Sequence, residues 1–199
     1  MKKAIEENQK KIEAKQKQLA EKKEPIKKLT ENLEASKKEI TEANLKKVYT
    51  YLEKKSNEAC VYVMEAIIGL MRGSKRADSK SVELYTAKYE GFMMGLNRID
   101  IKTLNVAHCQ EHLDNLRERF DTVLRSDEFE IFRPYRNVLS KLCLLAMLGK
   151  DELQIEQYIE KKENEIENNT REIEQKESLL ANIDLHEFIK EDITYCENE

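Results

Sequence analysis

IEENQKKIEAKQKQLAEKKEPIKKLTENLEASKKEI, residues 5–40, places an aliphatic side chain at every seventh position: Ile5, Ile12, Leu19, Ile26, Leu33 and Ile40. A straight α-helix drifts about 20° per heptad away from such a stripe, so an unbroken seven-residue period predicts helices wound in a left-handed supercoil. The same period returns near the other end at Ile159, Ile166, Ile173 and Leu180. If these positions are a, the d positions are Asn8, Lys15, Lys22, Leu29, Ser36 and Ala43 in the first arm. In the last arm they are Ile155, Lys162, Asn169, Lys176 and Ile183. Most heptads thus pair one apolar knob with one polar knob, at a cost in stability. Past Ile40 the stripe passes to Leu45, Val48 and Leu52 while Lys47 takes the expected a position, which reads as a stutter. Pro25 is expected to kink or interrupt the first arm, because its ring removes a donor and crowds the preceding turn.

Charge says which helix each arm pairs with. Residues 1–57 hold 16 Lys against 10 acids, residues 58–149 hold 13 of each sign, and residues 150–199 hold 6 basic against 16 acidic groups. A basic arm and an acidic arm around a neutral middle predict that the chain folds back on itself. The expected fold is all-α: an intramolecular antiparallel coiled-coil stalk with a small multi-helix head at its tip. The expected divisions are an outgoing arm over 1–57, a head over 58–149 and a returning arm over 150–199. A homodimeric coiled coil or two solvated helices are the alternatives.

Composition agrees with long helices. The chain has 199 residues, 40% hydrophobic and 37% charged, which is too polar for one round globule, and five Gly with two Pro exclude a loop-rich β protein. Cys60, Cys109, Cys143 and Cys196 are scattered without a CxxC and read as reduced thiols of a cytosolic protein. The longest apolar runs are too short to cross a bilayer, so no membrane partner is expected.

In the middle, Ala59–Met71 reads as a buried helix stopped by Gly73, followed by a polar loop to Lys80. Val82–Leu96 is predicted as one helix with Leu84, Tyr85, Tyr89, Phe92 and Met93 on its apolar face. Asp100, or alternatively Thr103, is expected to cap the next helix, which carries Leu104, Val106, Leu113, Leu116 and Phe120. Ser126 or Asp127 starts the last element, where Pro134 is tolerable only in the first turns or as a break. Val138–Leu148 should be the central core helix, running into Gly149 before the acidic arm begins.

His108-Cys109-Gln110-Glu111-His112 fits H-x-x-E-H, in which two histidines one turn apart could hold zinc with Glu111 as base. No third ligand is evident, and the motif reads as two surface histidines, with a zinc hydrolase as the minor alternative. No GxxxxGK[ST] is present, so no nucleotide site, cofactor or catalytic residue is expected. A neutral middle without basic and aromatic interleaving argues against nucleic acid.

Several segments resemble the stalk and microtubule-binding domain of dynein heavy chains, in the family's order. They are Glu24-Pro25 in the first arm, Val61-Tyr62-Val63-Met64-Glu65-Ala66-Ile67 running on to Leu70 and Gly73, and Gly91-Phe92-Met93-Met94-Gly95-Leu96 before Ile99-Asp100-Ile101. Phe129-Glu130-Ile131 and Leu142-Cys143-Leu144-Leu145-Ala146-Met147 complete the series. Together they span about residues 24–195. The chain departs from the family in having Ser56-Asn57-Glu58 where a proline pair is usual, and in having no Trp. The resemblance implies a tip that attaches reversibly to tubulin and signals by sliding one stalk helix against the other. ATP hydrolysis would then belong to another part of a longer, multi-subunit motor, of which this chain is an excised, monomeric piece. It also implies a cytoplasmic, cytoskeletal setting, with the axoneme of a cilium or flagellum as the alternative. Near the family's contact positions lie Lys54, Lys55, Arg98, Lys102, Arg133 and Arg136, each of which also reads as an ordinary solvated charge. The rival reading is a non-motor antiparallel coiled-coil scaffold or adaptor whose helical head binds another protein.

Overall fold

The structure, a computed structural model, describes residues 2–54, 57–120 and 126–196. It is all-helical, with no strand among the described residues. Among the described residues seven α-helices follow in order: α1 (Lys2–Lys38), α2 (Glu42–Glu53), α3 (Glu58–Met71), α4 (Ser79–Thr86), α5 (Tyr89–Asn97), α6 (Val106–Asn115) and α7 (Ser126–Cys196). A 3-10 turn at Ile101–Thr103 precedes α6 and a π turn at Leu116–Phe120 follows it. No described helix is long and apolar enough to cross a membrane.

The chain divides into two compact units, Met1–Ala20 with Gln154–Glu199, and Glu21–Leu153. In the first unit Lys2 pairs with Glu177 at 3.1 Å and Asn8 donates to Glu165 at 3.2 Å, while the Lys15 ammonium lies 5.7 Å from the Tyr158 ring centre. Numbers rise on one helix as they fall on the other, so α1 and α7 run antiparallel there. Ile12 and Asn8, placed at a and d by the heptads, are both buried, whereas Leu180, also expected at a, is exposed, as is Lys176 at d. Asn8 keeps its hydrogen bond, which is the condition for burying it. The side chains of Phe120, Ile183 and Cys196 lie outside the described ones.

In the second unit the antiparallel sense recurs, with Lys22 paired to Asp151 at 3.0 Å. Leu33 and Ile40 are buried at a positions, and Ser36 is buried at d. Lys141 on α7 donates to the Asn32 carbonyl at 3.1 Å and to the Ser36 hydroxyl, filling a seam position with a satisfied polar contact.

Proline did not interrupt the first arm. α1 is continuous through Pro25, which is exposed, as is Glu21 one turn earlier. Water can therefore take the Glu21 carbonyl that the missing N–H leaves free. The phase change past Ile40 is a break rather than a stutter near Lys47. α1 ends at Lys38, a turn closes from Ile40 N–H to the Lys37 carbonyl at 3.1 Å, and Thr41 caps α2 through Asn44 N–H at 3.2 Å. Ala43, expected at d, is consequently exposed, while Leu45 and Val48 are buried.

α3 carries the centre of the core: Val63, Met64, Ala66, Ile67 and Ile68 are fully buried. Its end follows from Gly73, the residue with φ of +69°. Ser74 N–H bonds the Gly69 carbonyl at 2.8 Å and Gly73 N–H bonds the Leu70 carbonyl at 3.2 Å, the pairing of a Schellman end. Asn57 starts the helix by accepting from Ala59 N–H at 2.9 Å.

The expected helix over Val82–Leu96 is two helices, α4 and α5, divided at Ala87–Lys88. Asp78 caps α4 through Ser81 N–H, and the division turns Leu84 out of the core to 73% exposure. Asp100 caps only the 3-10 turn, through Lys102 N–H at 3.0 Å. Leu104 is extended (φ −64°, ψ 137°), so α6 must restart, and Asn105 caps it by accepting from Ala107 and His108. Ser126 begins α7 as expected, but Pro134 lies in its third turn without a break and Gly149 does not end it. Close to that proline, Asn44 of α2 donates to the Ile131 carbonyl at 3.1 Å. Phe92 of α5 packs edge-on to Tyr135 of α7 at 5.9 Å, and Tyr51 of α2 packs on Phe132 at 6.3 Å. Cys60, Cys109 and Cys143 are free and buried.

Candidate functional site

The candidate cations occupy helix ends of the second unit. Lys54 is exposed at the C-cap of α2, its N–H bonded to the Leu52 carbonyl. Lys55 lies outside the described residues. Arg98 is exposed at the C-cap of α5, and Lys102 is exposed in the 3-10 turn that Asp100 organises. A cation at a helix C-terminus meets the partial negative charge of the last carbonyls, which favours Lys54 and Arg98 where they stand. Arg133 is exposed on α7 and pairs with Glu130 at 3.4 Å. Arg136 is half-buried and reaches Asn137 at 3.5 Å.

These residues form two groups rather than one. The packing of Tyr51 on Phe132, and a 3.1 Å bond from Asn57 to Glu128, bring the end of α2, the start of α3 and the start of α7 together. Lys54 and Arg133 belong to that corner. Arg98 instead lines a 210 Å³ groove with Met71, Gly73, Asp100 and His108, beside the other end of α3. The 14 residues of α3 rise about 20 Å at 1.5 Å each. Arg98 and Lys102 are therefore separated from Lys54 by roughly the length of that helix. No family model, curated protein or solved structure matches the chain.

Side chains at the H-x-x-E-H motif are otherwise engaged. His112 is fully buried rather than on the surface, and its Nδ1 lies 2.7 Å from the Tyr62 hydroxyl. Burial pushes its pKa below the ordinary histidine value, a shift that the nearby Lys75 backbone carbonyl opposes without forming a well-directed bond to Nε2. A neutral ring that carries its proton on Nε2, toward the Lys75 carbonyl, accepts a hydrogen bond from the Tyr62 hydroxyl at Nδ1. Burial raises the Tyr62 phenol to about 12. Glu111 pairs with Lys75, whose ammonium lowers the carboxyl pKa. No group of three metal-ligating side chains occurs among the described residues.

Sequence reasoning did not single out a cleft of 740 Å³ bounded by α2, α3, α4 and α6, walled by Leu52, Val61 and Val82. Its carboxylates come from four separate helices, so no local spacing announces them. The burial of His112 was visible in principle, since Cys109, His112, Leu113 and Leu116 follow the spacing of one helical face.

Proposed function

We propose that this chain is the microtubule-binding tip of a dynein motor, attaching reversibly to tubulin and relaying changes of affinity by sliding of α1 against α7. The observation that carries the reading is the arrangement of chain around the cations. A basic leading helix and an acidic trailing helix lie antiparallel, with four exposed cations on the helices between and beside them. Tubulin presents an acidic face, and two cationic groups about 20 Å apart suit a broad surface better than a pocket.

The seam supports the sliding part. Asn8 with Glu165, and Ser36 with Lys141, alternate with apolar layers such as Ile12 and Leu33. Polar layers add little net stability, so less packing energy is lost on passing between neighbouring registers than in an all-apolar coiled coil. A coiled-coil stalk bearing a helical head is the arrangement proposed. The acidic cleft favours a second reading, a non-motor scaffold or adaptor whose helical unit holds another protein.

Co-sedimentation with microtubules at low and moderate salt tests the proposal, using Lys54→Glu and the pair Arg98→Glu with Lys102→Glu. Pelleting that falls with salt, and falls further in both variants, is expected because exposed charges are screened beyond about 10 Å at 0.1 M. Absence of pelleting at low salt, or unchanged pelleting in both variants, rejects it.

A further inference from the structure

Nothing in the chemistry of residues 37–45 requires a helix to stop. The stretch Lys37-Lys38-Glu39-Ile40-Thr41-Glu42-Ala43-Asn44-Leu45 holds neither Gly nor Pro. The helix breaks there all the same, and the hydrogen bonds show how. In one continuous helix the Ile40 carbonyl would accept from Asn44 N–H. Here that N–H goes to the Thr41 hydroxyl at 3.2 Å, and the Ile40 carbonyl takes the hydroxyl of Tyr89, from α5, at 3.0 Å. One helical hydrogen bond has been exchanged for two others, one of them supplied by another helix. Both backbone groups stay satisfied, so the break is an alternative arrangement of the backbone rather than a defect in it.

Other groups at the joint are left short. Asn44 donates to the Ile131 carbonyl through Nδ2 at 3.1 Å, but its Oδ1 is shielded from water and has no partner. One turn beyond Ile131 on α7, the buried hydroxyl of Tyr135, whose ring packs on Phe92 of α5, has none either. An unpaired acceptor and an unpaired donor disfavour the broken form. Burial of Leu45 and Val48, in the phase that the break gives α2, favours it. Opposed contributions of this kind are what a two-state element needs.

We propose that residues 39–41 form a two-state joint, broken while the Tyr89 hydroxyl holds the Ile40 carbonyl and closed into one α1–α2 helix when it lets go. Tyr89 is the latch, and it ties the position of α5 to the phase of α2. A displacement of α5 therefore reaches the end of α1. In the closed form Asn44 N–H returns to the Ile40 carbonyl, and the first turn of α2 swings Asn44 Oδ1 to the Tyr135 hydroxyl. The joint does not depend on the tubulin reading, since it operates in the chain alone.

Carbon-13 saturation-transfer NMR on the labelled chain tests it, by reading the population and Cα shift of a minor form at Ile40. A minor form with a helical Cα shift is expected in the unaltered chain. Tyr89→Phe keeps the ring and loses only the latch, so it should raise that population about two- to tenfold, the worth of one hydrogen bond. Thr41→Ala, an exposed change that frees Asn44 N–H without touching α5, should raise it by a similar factor. Tyr135→Phe should lower it, because the closed form then gains one bond fewer. Tyr85→Phe, which removes a hydroxyl from α4, should leave it unaltered, and circular dichroism confirms helicity. The proposal is overturned if no helical minor form occurs in the unaltered chain or in Tyr89→Phe, or if those two have equal populations. A rise in Tyr135→Phe, no rise in Thr41→Ala, or a rise in Tyr85→Phe equal to that in Tyr89→Phe would overturn it too.

Discussion

The Tyr62 hydroxyl lies 2.7 Å from Nδ1 of a His112 that has no exposure to water. A neutral imidazole with its proton on Nε2 accepts a hydrogen bond from the phenol at Nδ1. Its surroundings favour the neutral form only in part. Burial lowers the pKa most; the Lys75 backbone carbonyl and Glu111 favour protonation, His108 and the Lys75 ammonium oppose it, and burial prevails. Arg76 lies over the Tyr62 ring and bonds Glu65.

A histidine whose folded pKa is depressed is more basic in the unfolded chain. Unfolding then takes up a proton, so the stability His112 contributes is present above the unfolded value of about 6.5 and is lost as pH falls below it. Thermal melting between about pH 8 and pH 5 should show Tm falling below about pH 6.5. His112→Gln, which can still accept from Tyr62, should flatten that limb. An equally steep limb in the variant would mean that other groups set it.

Two glycines should respond to alanine with opposite signs. A Cβ at Gly69 would lie 2.7 Å from the Arg76 Cα and 2.8 Å from the Lys75 carbonyl oxygen, both backbone atoms of the loop that delivers Arg76. Gly69→Ala is therefore expected to destabilise by about 1–3 kcal/mol. Gly149 lies within α7 with nothing near the added atom, so Gly149→Ala should stabilise by about 0.5–1 kcal/mol. Denaturant midpoints measured on the two variants check both signs.

The division of α4 from α5 gives a sharp contrast between two residues that share an apolar face in the sequence reading. Leu84→Ala should change stability by less than about 0.5 kcal/mol, because the side chain is 73% exposed. Phe92→Ala, at a fully buried ring against Tyr135, should cost about 3–5 kcal/mol. Urea unfolding of each variant distinguishes a divided segment from one continuous helix, in which both losses would be large.

Long-period features were legible in the sequence and local punctuation was less so. Ile12, Leu33 and Ile40 of the seven-residue stripe are buried, as are the polar d positions Asn8 and Ser36, while Leu180 near the stripe's end is exposed. That pattern repeats over many turns, so one misleading residue cannot displace it. Proline and glycine misled because their effects depend on surroundings. Pro25 is exposed and water can take the freed carbonyl, whereas a side-chain amide, that of Asn44, bonds a carbonyl close to Pro134. Asp100 was a sound capping residue for the wrong element, since extended Leu104 interrupts the chain before α6. The acidic cleft had no signature because Glu53, Glu65, Glu83 and Glu111 meet only after four helices pack.

Fold and proposed function both require the leading helix to lie against the trailing helix of the same chain. A zero-length carbodiimide joins amines to carboxylates in direct contact, and mass spectrometry on a mixture of isotope-labelled and unlabelled chain tells links within a molecule from links between two. Links from Lys2 to Glu177 and from Lys22 to Asp151, within single chains and at yields independent of concentration, are expected from their separations of 3.1 and 3.0 Å. Mixed-isotope links joining the leading helices of two chains, with none to the trailing helix of their own, would contradict the pairing.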